Sequence, residues 1–362
     1  MARRAATTNV NVSRYLVTGA AGFLGRHLVR TLLDRGESVT ALVRKKADLP
    51  SEVTQAIGDV LEPESIEKAL SGTEGVFHCA GKVSRKPEDA EELYTLHVTG
   101  TKNVIAAMKK RGVPRLVLAS TSGTIAVGDD PDRVYTEEDE APIGLLQRWP
   151  YYRSKLFAEQ AALAENGPDL TVVSVNPTIL FGPGDVNGSS TEDIRLFLER
   201  KIPAIPPGGL SYVDARDAAL AMALAMQKGI GGRRYLIGAC NLTIKEFFAR
   251  LERVSGVRGP LLPMPRQGRE IAKTGADILA QLSERLGIPV AVDPISLDMA
   301  HFYWYLDASL AESELGWMPR DPVVTLVATV RDLEERGVVW PQTGSSFLSS
   351  LRRRITNVRD EA

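Results

Sequence analysis

Residues 14–33 constrain this chain more than any other stretch. An apolar segment, Tyr15-Leu16-Val17, runs into Thr18-Gly19-Ala20-Ala21-Gly22-Phe23-Leu24-Gly25, and His27-Leu28-Val29-Arg30-Thr31-Leu32-Leu33 follows at helical spacing. A glycine-rich turn between a strand and a helix leaves backbone N–H groups at the positive end of the helix, and the missing side chains let a pyrophosphate come close. The pattern predicts a dinucleotide cradle with contacts at Gly19, Ala21, Gly22, Phe23 and Leu24. Three glycines in eight residues are weak evidence alone, because glycine is an ordinary turn residue. The rest of the chain strengthens it.

The 362 residues are 44% hydrophobic and 25% charged, a globular composition with room for one large core or two lobes. A formal net charge of −1 gives no overall drive toward nucleic acid or anionic membranes, so neither is expected as a partner, although Arg44-Lys45-Lys46 is locally basic. Cys79 and Cys240 stand far apart in apolar surroundings and read as buried small hydrophobes, and four scattered histidines make no metal site. No run approaches the roughly 18 apolar residues of a membrane span, and no apolar stretch follows the early arginines, so a cytoplasmic location is expected.

In chain order, Gly36 stands at a helix end and Ser38–Val43 reads as a second strand, closing a βαβ unit. Where NAD-binding folds place a carboxylate for the adenosine ribose, the chain has Arg44-Lys45-Lys46. A guanidinium binds a 2′-phosphate through paired charge-assisted hydrogen bonds, so NADP(H) is expected ahead of NAD(H); the alternative is a solvated basic loop. A third strand near 53–57 leads to Asp59-Val60 and a capped amphipathic helix over 64–70, and a fourth over 75–80 ends at Gly81.

The strand at 115–119 runs into Ser120-Thr121-Ser122-Gly123-Thr124. Hydroxyls at the C-terminal end of a parallel strand face the ligand crevice, which makes Thr121 and Ser122 catalytic candidates, though such hydroxyls also cap turns. After Pro150, Tyr151 and Lys155 are four apart, so on a helix they share one face. A phenol with a pKa of about 10 is a poor base at neutral pH, and a neighbouring ammonium is expected to favour the phenolate.

These segments together resemble the extended short-chain dehydrogenases/reductases, the NAD-dependent epimerase/dehydratase family. Thr18 to Gly25 resembles its T-G-x-x-G-[FYW]-[LIV]-G signature, and His78-Cys79-Ala80-Gly81 its H-x-A-[AG] turn. His97-Val98-Thr99-Gly100-Thr101 resembles N-V-x-G-T with histidine where asparagine is usual, and Asn176-Pro177-Thr178 opens a segment similar to N-P-x-x-[VIL]-x-G-P. Tyr212-Val213-Asp214 and the stretch from Asp307 to Pro319 also match, so the resemblance spans about residues 14 to 337.

The resemblance implies an α/β architecture, a Rossmann doubly wound parallel sheet over 13–178 with 210–240 returning to it. It implies a smaller, mainly helical C-terminal substrate lobe at 179–209 and 241–340, between a disordered lead-in at 1–12 and a polar tail at 341–362. It places Asp59 and Val60 at the adenine, Cys79, Ala80 and Gly81 beside the cofactor, Lys155 on the nicotinamide ribose, and Asn176, Pro177 and Thr178 over the nicotinamide. His78 reads as a strand-end residue with a satisfied ring. Family members often dimerise through the helices here at 96–108 and 156–163, so a homodimer is expected.

Asn176 is shared with dihydroflavonol-reductase-like members, whereas many sugar-nucleotide members have arginine there. The closest group is the dihydroflavonol-reductase-like and hopanoid-associated sugar epimerase one. The expected function is NADP-dependent reduction of a ketone or aldehyde, with Tyr151 as proton donor, Thr121 polarising the carbonyl and Lys155 holding ribose. The alternatives are a nucleotide-sugar epimerase or dehydratase with tightly bound NAD(P), and a catalytically idle dinucleotide sensor. Residues 256–301 carry helical spacing at Ile271, Ile278, Leu279, Leu282 and Leu286 but no ligand motif, and substrate identity is expected there.

Overall fold

The computed structural model describes residues 13–264 and 294–340. The lead-in at 1–12, the apolar spacing from Ile271 to Leu286 and the tail at 341–362 lie outside the described residues. The strands are β1 (Arg14–Thr18), β2 (Ser38–Val43), β3 (Thr54–Ile57), β4 (Gly75–His78), β5 (Arg115–Ala119), β6 (Thr171–Pro177), β7 (Ile179–Phe181), β8 (Gly209–Asp214), β9 (Arg234–Ile237) and β10 (Cys240–Thr243). The helices used below are α1 (Phe23–Asp34), α2 (Pro63–Ala69), α3 (Ala90–Tyr94), α4 (Gly100–Arg111), α5 (Ile143–Leu146), α6 (Pro150–Leu163), α7 (Glu192–Leu198), α8 (Ala215–Lys228) and α9 (Ile244–Ser255).

Seven strands form one parallel sheet in the order β3-β2-β1-β4-β5-β6-β9. The chain leaves β1 toward β2 on one side and returns to β4 on the other, and such a reversal opens a ligand crevice beyond the strand ends. Successive residues feed opposite faces: Val17, Phe77, Val117 and Val173 pack under α1 and α8, while Leu16, Val76, Leu116 and Val172 pack under α2, α4 and α6. On α1, Leu28, Val29 and Leu32 recur at helical spacing and are fully buried, each worth about 2 kcal/mol of apolar transfer. The alanine- and methionine-rich α8 is the buried helix its composition predicts, packed along α1.

Three local expectations change. The helix expected around 96–104 is broken by a π turn at Thr95–Thr99 that carries His97 and Val98 inward. α2 has no side-chain cap at Glu62, because Ser65 instead bonds the carbonyls of Asp59 and Glu62. β8 does not return to the large sheet: it pairs with β7 and β10 in a separate three-stranded sheet, so the return begins with α8 and continues in β9. That small sheet and α7, α9 and the helix Pro322–Glu335 enclose a second core of Phe181, Phe197, Tyr212, Phe247 and Leu326, and Thr243 caps α9 with the reciprocal Glu246 bond.

Candidate active site

The glycine turn is held by close backbone packing. Gly19 has φ +69°, and a Cβ there would lie 2.6 Å from Ala80 N and the Cys79 carbonyl. At Gly25 a Cβ would lie 2.1 Å from Gly19 O, so the turn and α1 approach at a distance only glycine permits. Gly22 is the N-cap of α1 and supplies no side-chain acceptor, so the first-turn N–H groups of a 12-residue helix are left for another acceptor. Arg26 braces the turn by donating from Nε to Ala21 O at 3.0 Å and from Nη1 to Asp48 O at 2.5 Å. This bracing role was not read from the sequence.

Gly19, Gly22, Phe23, Leu24, Arg44, Cys79 and Gly81 line one end of a cleft of about 850 Å³, and Thr121, Ser122, Tyr151, Lys155, Pro177 and Thr178 line its middle. Arg44 is exposed at the rim and has no ion pair among the described residues. An uncapped helix end, a side-chain-free cradle and a rim guanidinium form a donor set suited to a phosphorylated dinucleotide.

Behind the cradle, proton positions follow from the donors. Thr101 spends its hydroxyl hydrogen on His97 O at 2.5 Å, so His78 Nε2 donates to Thr101 Oγ1 at 3.0 Å and His78 Nδ1 accepts from Thr18 Oγ1 at 2.7 Å. Burial and the Lys155 charge lower His78 to about 3, so the ring stays neutral and satisfied, as expected. His97 is fixed in the same way. The Lys82 backbone N–H donates to His97 Nε2 at 3.1 Å, so Nδ1 donates to Ser154 Oγ at 2.8 Å, and Ser154 donates to Tyr151 O at 2.8 Å. Burial, then Lys155, lowers His97 to about 2. Histidine thus ties the segment after β4 to the helix that carries Tyr151.

On α6, Pro150 takes the first turn, where its missing N–H costs nothing, and Tyr151 and Lys155 both face the cleft. Lys155 Nζ donates to Ala119 O at 2.5 Å; burial lowers it to about 8, with Glu159 acting in the opposite direction. The expected lowering of the phenol is not found. Burial raises Tyr151 above its ordinary value, with Tyr152 as the other contributor, so Tyr151 carries its proton. Thr121 Oγ1 accepts only from Gly123 N, at 3.4 Å, so its own hydrogen is not committed to a described residue.

The structure does not bring Ala21, Asp59, Val60, Ala80 or Asn176 to the cleft wall. Ala21 is exposed and its carbonyl serves Arg26, whereas Ala80 N is spent on Thr18 Oγ1 at 3.2 Å. The Asp59 carboxylate accepts from Leu61 N at 3.0 Å, and Val60 is buried against Gly100. Asn176 is fully buried and points away from the cleft: its Nδ2 donates to Thr121 O at 3.1 Å, Thr124 Oγ1 at 3.2 Å and Glu159 Oε2 at 2.5 Å. Glu159, also fully buried, accepts from Ser120 and Thr124 as well, and its Oε1 lies 3.3 Å from Arg234. The Tyr151-Lys155-Glu159 spacing was the available signal for this anchor behind the hydroxyl turn.

The far half of the cleft has an aromatic wall that sequence reasoning missed. Trp149, Tyr152 and Trp304 stack around one another with centroids 4.9–6.0 Å apart, and Leu196, Phe247 and Leu297 continue the apolar lining. Two cations reach this half. Lys82 pairs with Asp89 at 3.1 Å and Glu92 at 2.6 Å, and Arg85 pairs with Asp193 at 3.2 Å and donates to Ser296 at 2.7 Å. From the described ends of the 256–301 stretch, Met264, Ile295, Ser296, Leu297, Met299 and Ala300 line the same half.

A parallel sheet with a glycine cradle at its switch point and a Tyr–Lys pair across the crevice defines an NAD(P)-dependent enzyme of the Rossmann type. The model of the NAD dependent epimerase/dehydratase family matches residues 15–238, and the chain belongs to that family. It is 34% identical to a putative dihydroflavonol 4-reductase of Synechocystis sp. over 343 residues, covering 91% of this chain and 96% of that one. It is 32% identical over 332 residues to sterol demethylase protein B of Methylococcus capsulatus, covering 90% and 99%. Among solved structures, the crystal structure of gox2253 superposes with a TM-score of 0.76 at 26% identity, covering 90% of this chain and 99% of that one. Among the described residues no helix is long and apolar enough to cross a membrane.

Proposed function

We propose that this enzyme is an NADP(H)-dependent reductase of a ketone or aldehyde on a bulky, apolar skeleton. The observation that carries this reading is the far half of the cleft. Its walls are largely aromatic and aliphatic, its polar lining at Ser189, Ser190, Glu192 and Asp193 is neutral or acidic, and each cation reaching it among the described residues is already ion-paired, whereas a nucleoside diphosphate needs cations to spare. Two relatives covered over more than nine-tenths of their length, a putative dihydroflavonol 4-reductase and a sterol demethylase protein, bear names of the same tenor. Arg44, unpaired at the rim, supports NADP(H) over NAD(H).

Reduced nicotinamide, when bound, supplies a hydride to the carbonyl carbon. Tyr151, held neutral by burial, gives its phenolic proton to the carbonyl oxygen, and the product is the alcohol. Thr121 donates to the same oxygen with its uncommitted hydrogen, an interaction that strengthens as negative charge develops. Lys155, anchored on Ala119 O, holds the ribose and keeps positive charge near the phenol as its proton departs.

The reading includes a homodimer. Val104, Met108 and Leu156 from the expected interface are buried within the chain, but Tyr94 and Phe157 are exposed and pack edge to face at 6.3 Å on the outer surface of α3 and α6. It also includes a cytoplasmic compartment, in keeping with the free thiols of Cys79 and Cys240. The test follows NADPH absorbance with a panel of cyclic and aromatic ketones and, separately, epimerisation of UDP-sugars without added cofactor. Ketone reduction is expected. Activity in the second assay alone replaces the reductase reading with the epimerase one.

A further inference from the structure

We propose that Tyr152 is a second substrate-reading hydroxyl, and that the substrate carries a neutral oxygen function, a hydroxyl or a second carbonyl, within a few bonds of the carbonyl that is reduced. The proposal takes the identity of that first carbonyl from the reductase reading above. The role of Tyr152 stands on its own geometry.

Tyr152 follows the proton donor on α6 and lines the same cleft, with the two phenol rings 5.1 Å apart at 75°. Its ring is gripped on several sides. Trp304 lies against it at 4.9 Å and Trp149 at 6.0 Å, and a Cβ on Gly123 would meet the ring at 2.2 Å. Gly123 directly follows the Thr121-Ser122 pair, so the missing side chain is what lets this ring sit beside the carbonyl-polarising hydroxyl. A ring held this firmly presents its hydroxyl in one place.

That hydroxyl makes no hydrogen bond among the described residues, although the other large polar rings of the wall have partners: Trp149 Nε1 donates to Asp298 at 2.9 Å and Trp304 Nε1 to Met299 O at 3.2 Å. Tyr152 is half-buried and lines the cleft, so its hydroxyl meets water there until a ligand takes that place, and in a ligand cleft the ligand is the natural partner. Burial holds this phenol up to about 12, so it is neutral and can both donate and accept. The charged groups acting on it are Arg85 and Asp193, which are tied to each other and leave no net charge for an anion to meet. A neutral oxygen therefore suits the position better than a carboxylate or phosphate.

The test uses ketone pairs on one skeleton: 1-indanone against 2-hydroxy-1-indanone, and 2,2-dimethylcyclohexanone against 2,2-dimethyl-1,3-cyclohexanedione, whose blocked C2 keeps both carbonyls neutral. Tyr152→Phe keeps the ring and its stacking and removes only the hydroxyl. Its kcat/KM is expected to fall at least tenfold more for the oxygen-bearing member of each pair, mainly through KM. Equal changes for both members, or none, overturn the proposal, since the hydroxyl then meets only water. In parallel, quenching of tryptophan fluorescence is titrated with each ketone on wild type and Tyr152→Phe saturated with NADP⁺, which has no hydride to give. A preference for the oxygen-bearing ketone that disappears in the variant supports the role, and its absence from the wild type refutes it. Because this titration needs no turnover, a protein that reduces no ketone defeats the reductase reading while the role of Tyr152 is still decided.

Discussion

The two halves of the cleft are built on different principles. The cofactor half is mostly backbone: a Cβ at Gly19 or Gly25 would lie 2.1–2.6 Å from neighbouring backbone atoms, and the α1 terminus offers N–H groups rather than side chains. The substrate half is mostly side chain. Its wall brings Tyr152 of α6 against Trp304, and Arg85 after β4 against Asp193 of α7 and Ser296 of a late helix. A backbone cradle recognises a group shared by many ligands, whereas a wall gathered from distant segments can change its ligand one side chain at a time. The seam between them is the Tyr151–Lys155 face of α6.

The largest effect is expected at that seam. Tyr151→Phe keeps the ring but removes its proton, so turnover falls by about 10² to 10⁴ while NADPH affinity measured by fluorescence titration barely moves. Undiminished turnover removes Tyr151 from the chemistry. In the cofactor half, Arg44→Ala should weaken NADPH by about 1.5–3 kcal/mol with little change for NADH. Equal losses for the two, or a wild type that prefers NADH, return Arg44 to a solvated loop.

The next effect lies behind both halves. Lys155 is lowered to about 8, so its ammonium is present below that pH and turnover declines as pH rises through it. Glu159 favours the charged form, so Glu159→Gln should move this alkaline limb down by about one pH unit. A pH–rate profile that loses amplitude without moving its limb would leave Glu159 a purely structural anchor. The smallest effect belongs to the substrate half. Asp193→Asn leaves the Arg85 charge less neutralised, and a keto acid should gain about 1 kcal/mol or less in apparent affinity, since the pair is partly exposed. A KM for keto acids that does not change would show that charge pairing is not what excludes anions.

Legibility in the sequence follows the same division. The βαβ unit, the buried face of α8 and the neutral strand-end His78 could all be read, because each rests on short-range spacing. The Tyr–Lys pair belongs with them, since any helix puts residues four apart on one face. Asn176 shows the limit. Its neighbour Pro177 lines the cleft, but alternation along β6 turns the Asn176 amide to the opposite face, where Glu159 and Thr124 claim it. The ionisation of Tyr151 was out of reach for a related reason: spacing placed an ammonium nearby, but burial acts on the phenol more strongly.

By itself, then, the sequence determined what local geometry can carry: a glycine turn that backbone contacts require, a helix that aligns Tyr151 with Lys155, and an arginine after the second strand. Only the tertiary structure decided which side chains face the ligand. Trp304 meets Tyr152 across 152 positions, and Arg85 is neutralised by Asp193 across 108. No spacing rule connects residues so far apart, because their contact depends on how the second lobe packs over the sheet rather than on the turn of any one element.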